Sequence, residues 1–447
     1  MEKKIIEGEI IVTMNPEGEI LKDSAILIEG SKIIDIGKRD RIRKEHKPDI
    51  TIDAKEKLII PGLVNLHFHP GNMIRGIGEH MGLEEWAQNI LYPYLSAMTP
   101  RDAYLSACLA YAEAALSGTT TINAMYAYIE ELAKAAEKIG VRAVLSSEAC
   151  DLVDGQPSLN GNEKAFREIK SADGRISVWF GVEWVPICSR EFLMEARELA
   201  DKHKTGIHIH LNESKGEVEA CLEKHGKRPT ELVHELGVLG RDVVAAHCVW
   251  LSDKEKQIFA DTGTHISHNP VSNAKFGNGL APIPELTKLG VNIGLGTDDA
   301  ACNDTFHMFE TMKFASLAQK ARLLDAAQMP AETIMEMATV NGAKALGMED
   351  KIGSIEVGKK ADIVLLDLKT PNLRPIHPLG EYSNVYQNLV YSSPGNAVNT
   401  VIIDGETIVE NKEIKTMDLS EVIEEHQHRC EDLLERRKKY IKPLPLQ

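Results

Sequence analysis

The sequence predicts an α/β protein: a (β/α)8 TIM barrel with a small β-sandwich formed by both chain ends. Two observations predict it. Between residues 61 and 355, eight apolar, β-branched runs alternate with helical stretches, one run for each strand of such a barrel. Outside that span, both ends read as short strands with tight turns, so a single sandwich built from both termini is expected. The length of 447 residues fits, because α/β barrels run to about 200–250 residues or more as one unit.

Taken in order, residues 1–60 form the first part of the sandwich, with "AILIEGSKIIDIG" as a hairpin turning near Gly30. The barrel runs follow over 61–355: "GLVNLHFH", "TTTINAM", "VRAVLSS", "ISVWFGVEW", "GIHIHLNE", "VVAAHC", "THISHN" and "VNIGLGTDD". A connecting helix is marked over 100–117, with Thr99 as N-cap, Pro100 at the first helical position and Gly118 as terminator. The second part of the sandwich, 356–415, holds the strand "ADIVLLDL" and a hairpin turning at Asp404-Gly405, a type I′ signal. Residues 416–447 read as a charged amphipathic helix and tail packed on the surface.

The net charge of −16 argues against nucleic acid or an anionic membrane surface as a partner. Seven scattered cysteines, none in a C-x-x-C pair, read as reduced thiols of a cytoplasmic protein rather than a disulfide framework. The start "MEKKIIEGEI" shows no signal-peptide pattern, and no window approaches the roughly 18 apolar residues of a membrane span.

Barrel active sites gather at the C-terminal ends of the strands. There the first run ends in His67-Phe68-His69, the fifth carries His210 and then Glu213, the sixth ends in His247 and the eighth in Asp298. Residues two apart on a strand share a face, so His67 and His69 point one way and Phe68 the other. Imidazoles with a carboxylate suit one divalent metal ion, Zn²⁺ or Fe²⁺.

The segments "PGLVNLHFHPGN", "HIHLNES", "AAHC", "SHNPVSN" and "GLGTDD" resemble, in order, the signature segments of the amidohydrolase superfamily. Nearly the whole chain is covered, "IGSIEVGKKADIVLLD" included. The resemblance implies that His67, His69, His210 and Asp298 are metal ligands. It places His247 beside the metal-bound water, and leaves open whether this histidine also coordinates. Glu213 matches the proton shuttle, so that Glu213, His247 and Asp298 form the catalytic set. His208 is expected one layer deeper, as support. The implied reaction is hydrolytic deamination of a small amino-substituted nitrogen heterocycle, with ammonia released. A homo-oligomer is expected on the analogy of other barrels alone.

Within the superfamily the chain is similar to the branch holding triazine hydrolases and the adenosylhomocysteine and guanine deaminases. Leu95, Ser147 and Glu183 stand where adenosylhomocysteine deaminases carry a glutamate, an arginine and a histidine. Those three departures argue against a nucleoside. Asp299 and Cys302, with Leu83 and Leu91, match the deaminating side of the triazine branch. The expected substrate is therefore an aminotriazine such as melamine, or a purine or pterin. The alternatives are a guanine or adenosine-type deaminase, a triazine dechlorinase, or a metal-free scaffold barrel. Trp86 and His268 are candidate pocket residues, the first with packing under the mouth as its alternative and the second with turn formation at Asn269-Pro270. Asn273 could equally form a turn. Glu148 and Glu183, with Trp184, suit an amine-rich heterocycle, or else a surface loop.

Overall fold

The computed structural model describes residues 1–441 except 154, 172 and 394; the end of the expected C-terminal tail, 442–447, lies outside the described residues. The first four strands are β1 (Lys3–Val12), β2 (Ile20–Glu29), β3 (Lys32–Lys38) and β4 (Ile50–Pro61). Ten segments follow in the middle of the chain: β5 (Leu63–His69), β6 (Thr119–Met125), β7 (Arg142–Ser146), β8 (Ile176–Val178), β9 (Phe180–Val182), β10 (Ile207–Leu211), β11 (Val243–His247), β12 (His265–His268), β13 (Ile293–Leu295) and β14 (Asp298–Asp299). The last four are β15 (Ile363–Asp367), β16 (Val398–Ile403), β17 (Glu406–Glu410) and β18 (Glu413–Ile414).

The middle segments make two parallel sheets, β14-β5-β6-β7-β8 and β9-β10-β11-β12-β13. They close into one eight-position barrel because the fourth and eighth strands each break in two. At Trp179, the amide donates back to Leu145 O (2.8 Å), and the next amide, of Phe180, donates forward to Gly206 O (3.0 Å). At the other break, Gly296 donates to His268 O (3.0 Å), and Asn65 Oδ1 accepts from the amide of Thr297 (3.1 Å). Each split strand thus pairs with one neighbour before its break and the other after it.

Helices cover the barrel. The expected one spans Pro100–Leu116, with Thr99 and Asp102 forming a reciprocal capping box and Gly118 left-handed at φ 91°. After β5 the chain makes a long excursion through Leu83–Trp86, a π-helical turn at Ala87–Leu91 and Tyr92–Ala97, which walls the barrel mouth.

Strands from both ends join in a single sheet, ordered β18-β17-β16-β15-β4-β1-β2-β3. The two layers of the expected sandwich are one sheet curled on itself. Ala361 donates to Ser31 O (2.9 Å) and Lys32 bridges Lys360, which brings the β2–β3 hairpin back onto β15. The curl buries Ile6, Ile26, Ile28, Ile59, Ile363 and Ile402. Asp404 and Gly405 both have positive φ, 53° and 82°, as a type I′ turn requires. Buried Arg142 of β7 reaches Asp362 (3.0 Å) and Asp404 (3.5 Å), tying barrel to sheet. The C-terminal helix, Leu419–Arg436, lies against the helix that starts at Pro100, with Arg429 and Arg436 both paired to buried Asp102. Among the described residues, no helix is long and apolar enough to cross a membrane.

Candidate active site

Alternation along β5 sends Phe68 outward onto Phe306, ring centroids 4.2 Å apart, and His67 and His69 into the barrel. His69 Nε2 lies 3.1 Å from His67 Nε2 and 3.2 Å from His210 Nε2. Asp298 Oδ1 is 3.5 Å from the former and 3.7 Å from His69 Nε2. A tetrahedral ion with bonds of about 2.0–2.1 Å spaces its ligand nitrogens about 3.3–3.4 Å apart. These nitrogens already stand close to that spacing, so the donor set fits one divalent ion.

The outer faces of the His67 and His69 rings are held. His67 Nδ1 lies 2.8 Å from His208 Nε2. His69 Nδ1 lies 2.6 Å from Met125 O and 2.9 Å from Glu148 Oε1. Such partners fix the tautomer and leave Nε2 free to ligate. Burial, then the neighbouring His69, pulls His67 down to about 3; burial, then His67 and His69, hold His208 and His210 well below the usual range. For Asp298 burial pushes upward, but His67, His247 and His69 outweigh it and hold the carboxyl well below its usual value. His69 is the exception: burial opposes its proton, yet Glu148 and then Asp298 raise it to about 10. A metal must displace that proton.

His247 donates from Nδ1 to Asn273 Oδ1 (2.8 Å), which leaves Nε2 as an acceptor 3.8 Å from Asp298 Oδ2 and without another partner among the described residues. Both His247 and Asp298 sit in the left-handed region, at φ 75° and 69°. Non-glycine residues are held there only by surrounding structure, and such positions cluster at functional sites. Glu213 takes a hydrogen bond from Asn278 Nδ2 (3.2 Å). Burial, then Asp298 and Glu217, raise its carboxyl well above the usual range. Glu217 accepts from the amides of Asn212 (2.9 Å) and Glu213 (2.6 Å), pinning the loop. The sequence reading missed this residue, although Ser214-x-x-Glu217 has capping-box spacing.

A cavity of about 340 Å³ opens above these groups. His69, His210, Glu213, His247 and Asp298 line its floor; Trp86, Leu83, Leu91, Tyr92, Trp184 and Phe276 line its walls, together with Glu148, Glu183, Asp299 and Cys302. Asp299 accepts from the amide of Ala301 (2.7 Å), and burial pushes it up to about 7. The Cys302 thiol donates to Asp299 O (3.3 Å) and does not meet the Asp299 carboxylate. Glu148 and Glu183 are buried, so the surface-loop alternative does not hold.

Two expected pocket residues lie elsewhere. Leu95 is buried in Tyr92–Ala97 and does not line the cavity; Leu91 and Tyr92, one turn earlier, do. His268 is buried behind His247, with burial and then that histidine lowering it to about 3. Asn273 serves as the partner of His247. Ser147 is buried with its amide held by Asn162 Oδ1 (3.0 Å). Of the three departures read as evidence against a nucleoside, only Glu183 faces the cavity. Residues the sequence reading did not single out include Tyr92, Glu84, Gln88 and Phe276; all depend on how the 72–97 excursion and neighbouring loops pack.

The amidohydrolase family model matches residues 58–408. The 5-methylthioadenosine/S-adenosylhomocysteine deaminase of Thermoanaerobacter pseudethanolicus is 39% identical over 437 residues, 97% of this chain and 99% of that protein. The 5′-deoxyadenosine deaminase of Methanosarcina acetivorans is 38% identical over 437 residues, 97% and 98% of the two chains. Among solved structures, a zinc-bound adenosine deaminase from Xanthomonas campestris has a TM-score of 0.90 at 28% identity, covering 98% of each chain. A zinc-bound atrazine chlorohydrolase from Arthrobacter aurescens has a TM-score of 0.87 at 23% identity, covering 96% of this chain and 100% of that one; this likeness concerns the fold alone. The chain belongs to the amidohydrolase family, as a metal-dependent hydrolase acting on C–N bonds.

Proposed function

We propose that the enzyme hydrolytically deaminates the adenine ring of an adenosine-type nucleoside, releasing ammonia. The observation that carries this reading is the pair of adenosine-type deaminases 38–39% identical along 97% of the chain. The aminotriazine expectation is the weaker one: Leu83, Leu91, Asp299 and Cys302 do line the cavity, but the triazine hydrolase stands at 23% identity and two of the three departures read against a nucleoside lie outside the cavity.

His67, His69, His210 and Asp298 would hold the ion. When bound, a divalent ion supplies Lewis acidity and a water of lowered pKa. Asp298, with His247 Nε2 beside it, accepts the proton of the attacking water. Glu213, whose carboxyl burial and then Asp298 raise well above the usual range, gives its proton to the ring nitrogen next to the amino-bearing carbon. A C–O bond forms and the C–N bond breaks: the proton held by Asp298 passes to the departing amine, which leaves as ammonia, while the ring nitrogen keeps its proton and the new hydroxyl gives its own back to Glu213 as the carbonyl forms.

The test is ammonia release by zinc-loaded protein presented with adenosine, 5′-deoxyadenosine, 5′-methylthioadenosine, melamine and guanine. Turnover of the nucleosides is expected to exceed that of the other two. Preferential turnover of melamine or guanine would overturn the proposal.

A further inference from the structure

The cavity carries an unusual charge pattern. Glu84, Glu148, Glu183, Glu213, Asp298 and Asp299 line it, and among the described residues no lysine or arginine does. A divalent ion offsets two of these carboxyls, and burial raises Glu213 well above the usual range, Glu183 to about 8 and Asp299 to about 7, but no cationic side chain is left to meet an anionic ligand. Glu148 and Glu183, at the ends of the third and fourth barrel strands, form one acidic wall. Each leaves an oxygen, Oε2, buried without a hydrogen-bond partner among the described residues; that of Glu183 faces His210 Nδ1 at 3.7 Å, beyond hydrogen-bond reach. A buried, unpaired acceptor is costly, so the wall is built for a donor that arrives with the ligand. A carboxylate or phosphate would meet the reverse: no cationic side chain among the lining residues to pair with, and a buried carboxyl pair that already shares its charge.

We infer that the Glu148–Glu183 wall selects nucleoside substrates that are neutral or cationic, offering N–H or O–H donors to it, and rejects those carrying a carboxylate or phosphate. This inference rests on the adenosine-type reading and narrows its substrate class.

Steady-state kinetics of the zinc-loaded enzyme decide it, with adenosine, 5′-deoxyadenosine, cationic 5′-amino-5′-deoxyadenosine and anionic adenosine 5′-monophosphate as substrates. The expected kcat/KM for the monophosphate is roughly 100-fold below that for adenosine, with the amino compound turned over at least as well as 5′-deoxyadenosine. Calorimetric binding of inosine against inosine 5′-monophosphate should show the same order, independently of turnover. Glu183→Gln should narrow the gap by roughly tenfold. Equal kcat/KM for adenosine and its monophosphate overturns the inference and leaves the adenosine-type reading intact. An unchanged gap in Glu183→Gln overturns the role of the wall. Failure to deaminate any nucleoside overturns the adenosine-type reading itself.

Discussion

His208 Nε2 lies 2.8 Å from His67 Nδ1, one layer below the cluster of Nε2 atoms. The contact orients a candidate ligand without reaching the ion. His208→Ala is expected to weaken zinc affinity about 10–100-fold, and His210→Ala to abolish stoichiometric binding. Chelator competition and metal analysis on both variants measure the difference.

Glu213→Gln removes the transferable proton and keeps the shape. Zinc content should be unchanged and kcat should fall about 10²–10⁴-fold. Near-normal turnover would place the proton shuttle elsewhere.

Asn273→Leu deprives His247 Nδ1 of its acceptor. The ring is then free to change tautomer and rotate, and kcat/KM should fall about tenfold or more. Zinc content should change less than in His210→Ala, because Asn273 touches none of the four proposed ligands.

Gly71 makes room for Asp299: a Cβ there would stand 2.0 Å from Asp299 Oδ2. Gly71→Ala should displace that carboxylate and raise KM for the nucleoside, with little loss of zinc. An unaltered KM would show that Asp299 does not help hold the substrate.

Asp102 anchors the C-terminal helix through Arg429 and Arg436. Burial pushes its carboxyl upward, but Arg429, Thr99 and Arg436 outweigh burial and lower it below 3.8. A depressed pKa contributes stability that is present above the unfolded value and lost as pH falls through the folded one. Protection against hydrogen exchange in Leu419–Arg436, relative to the intrinsic rate at each pH, should therefore fall once the pH drops below the usual carboxylate range. Asp102→Asn should give the same loss of protection at pH 7.

The sequence by itself determined whatever rests on local periodicity and capping. The eight runs, the inward pair His67 and His69 flanking outward Phe68, the Thr99 cap and the Asp404-Gly405 turn follow from repeats of two residues, side-chain caps and turn chemistry, all legible within a few positions. Tertiary structure decided what depends on distant elements meeting. The left-handed backbone at His247 and Asp298 has no glycine to signal it. Period two says which face Glu148 and Glu183 take, but not that the 72–97 excursion would enclose them in a cavity. The same packing left Leu95 one turn too far along its helix and His268 behind His247. The metal chemistry was therefore readable from strand ends, whereas the shape and charge of the substrate cavity come from loops that only the folded barrel brings together.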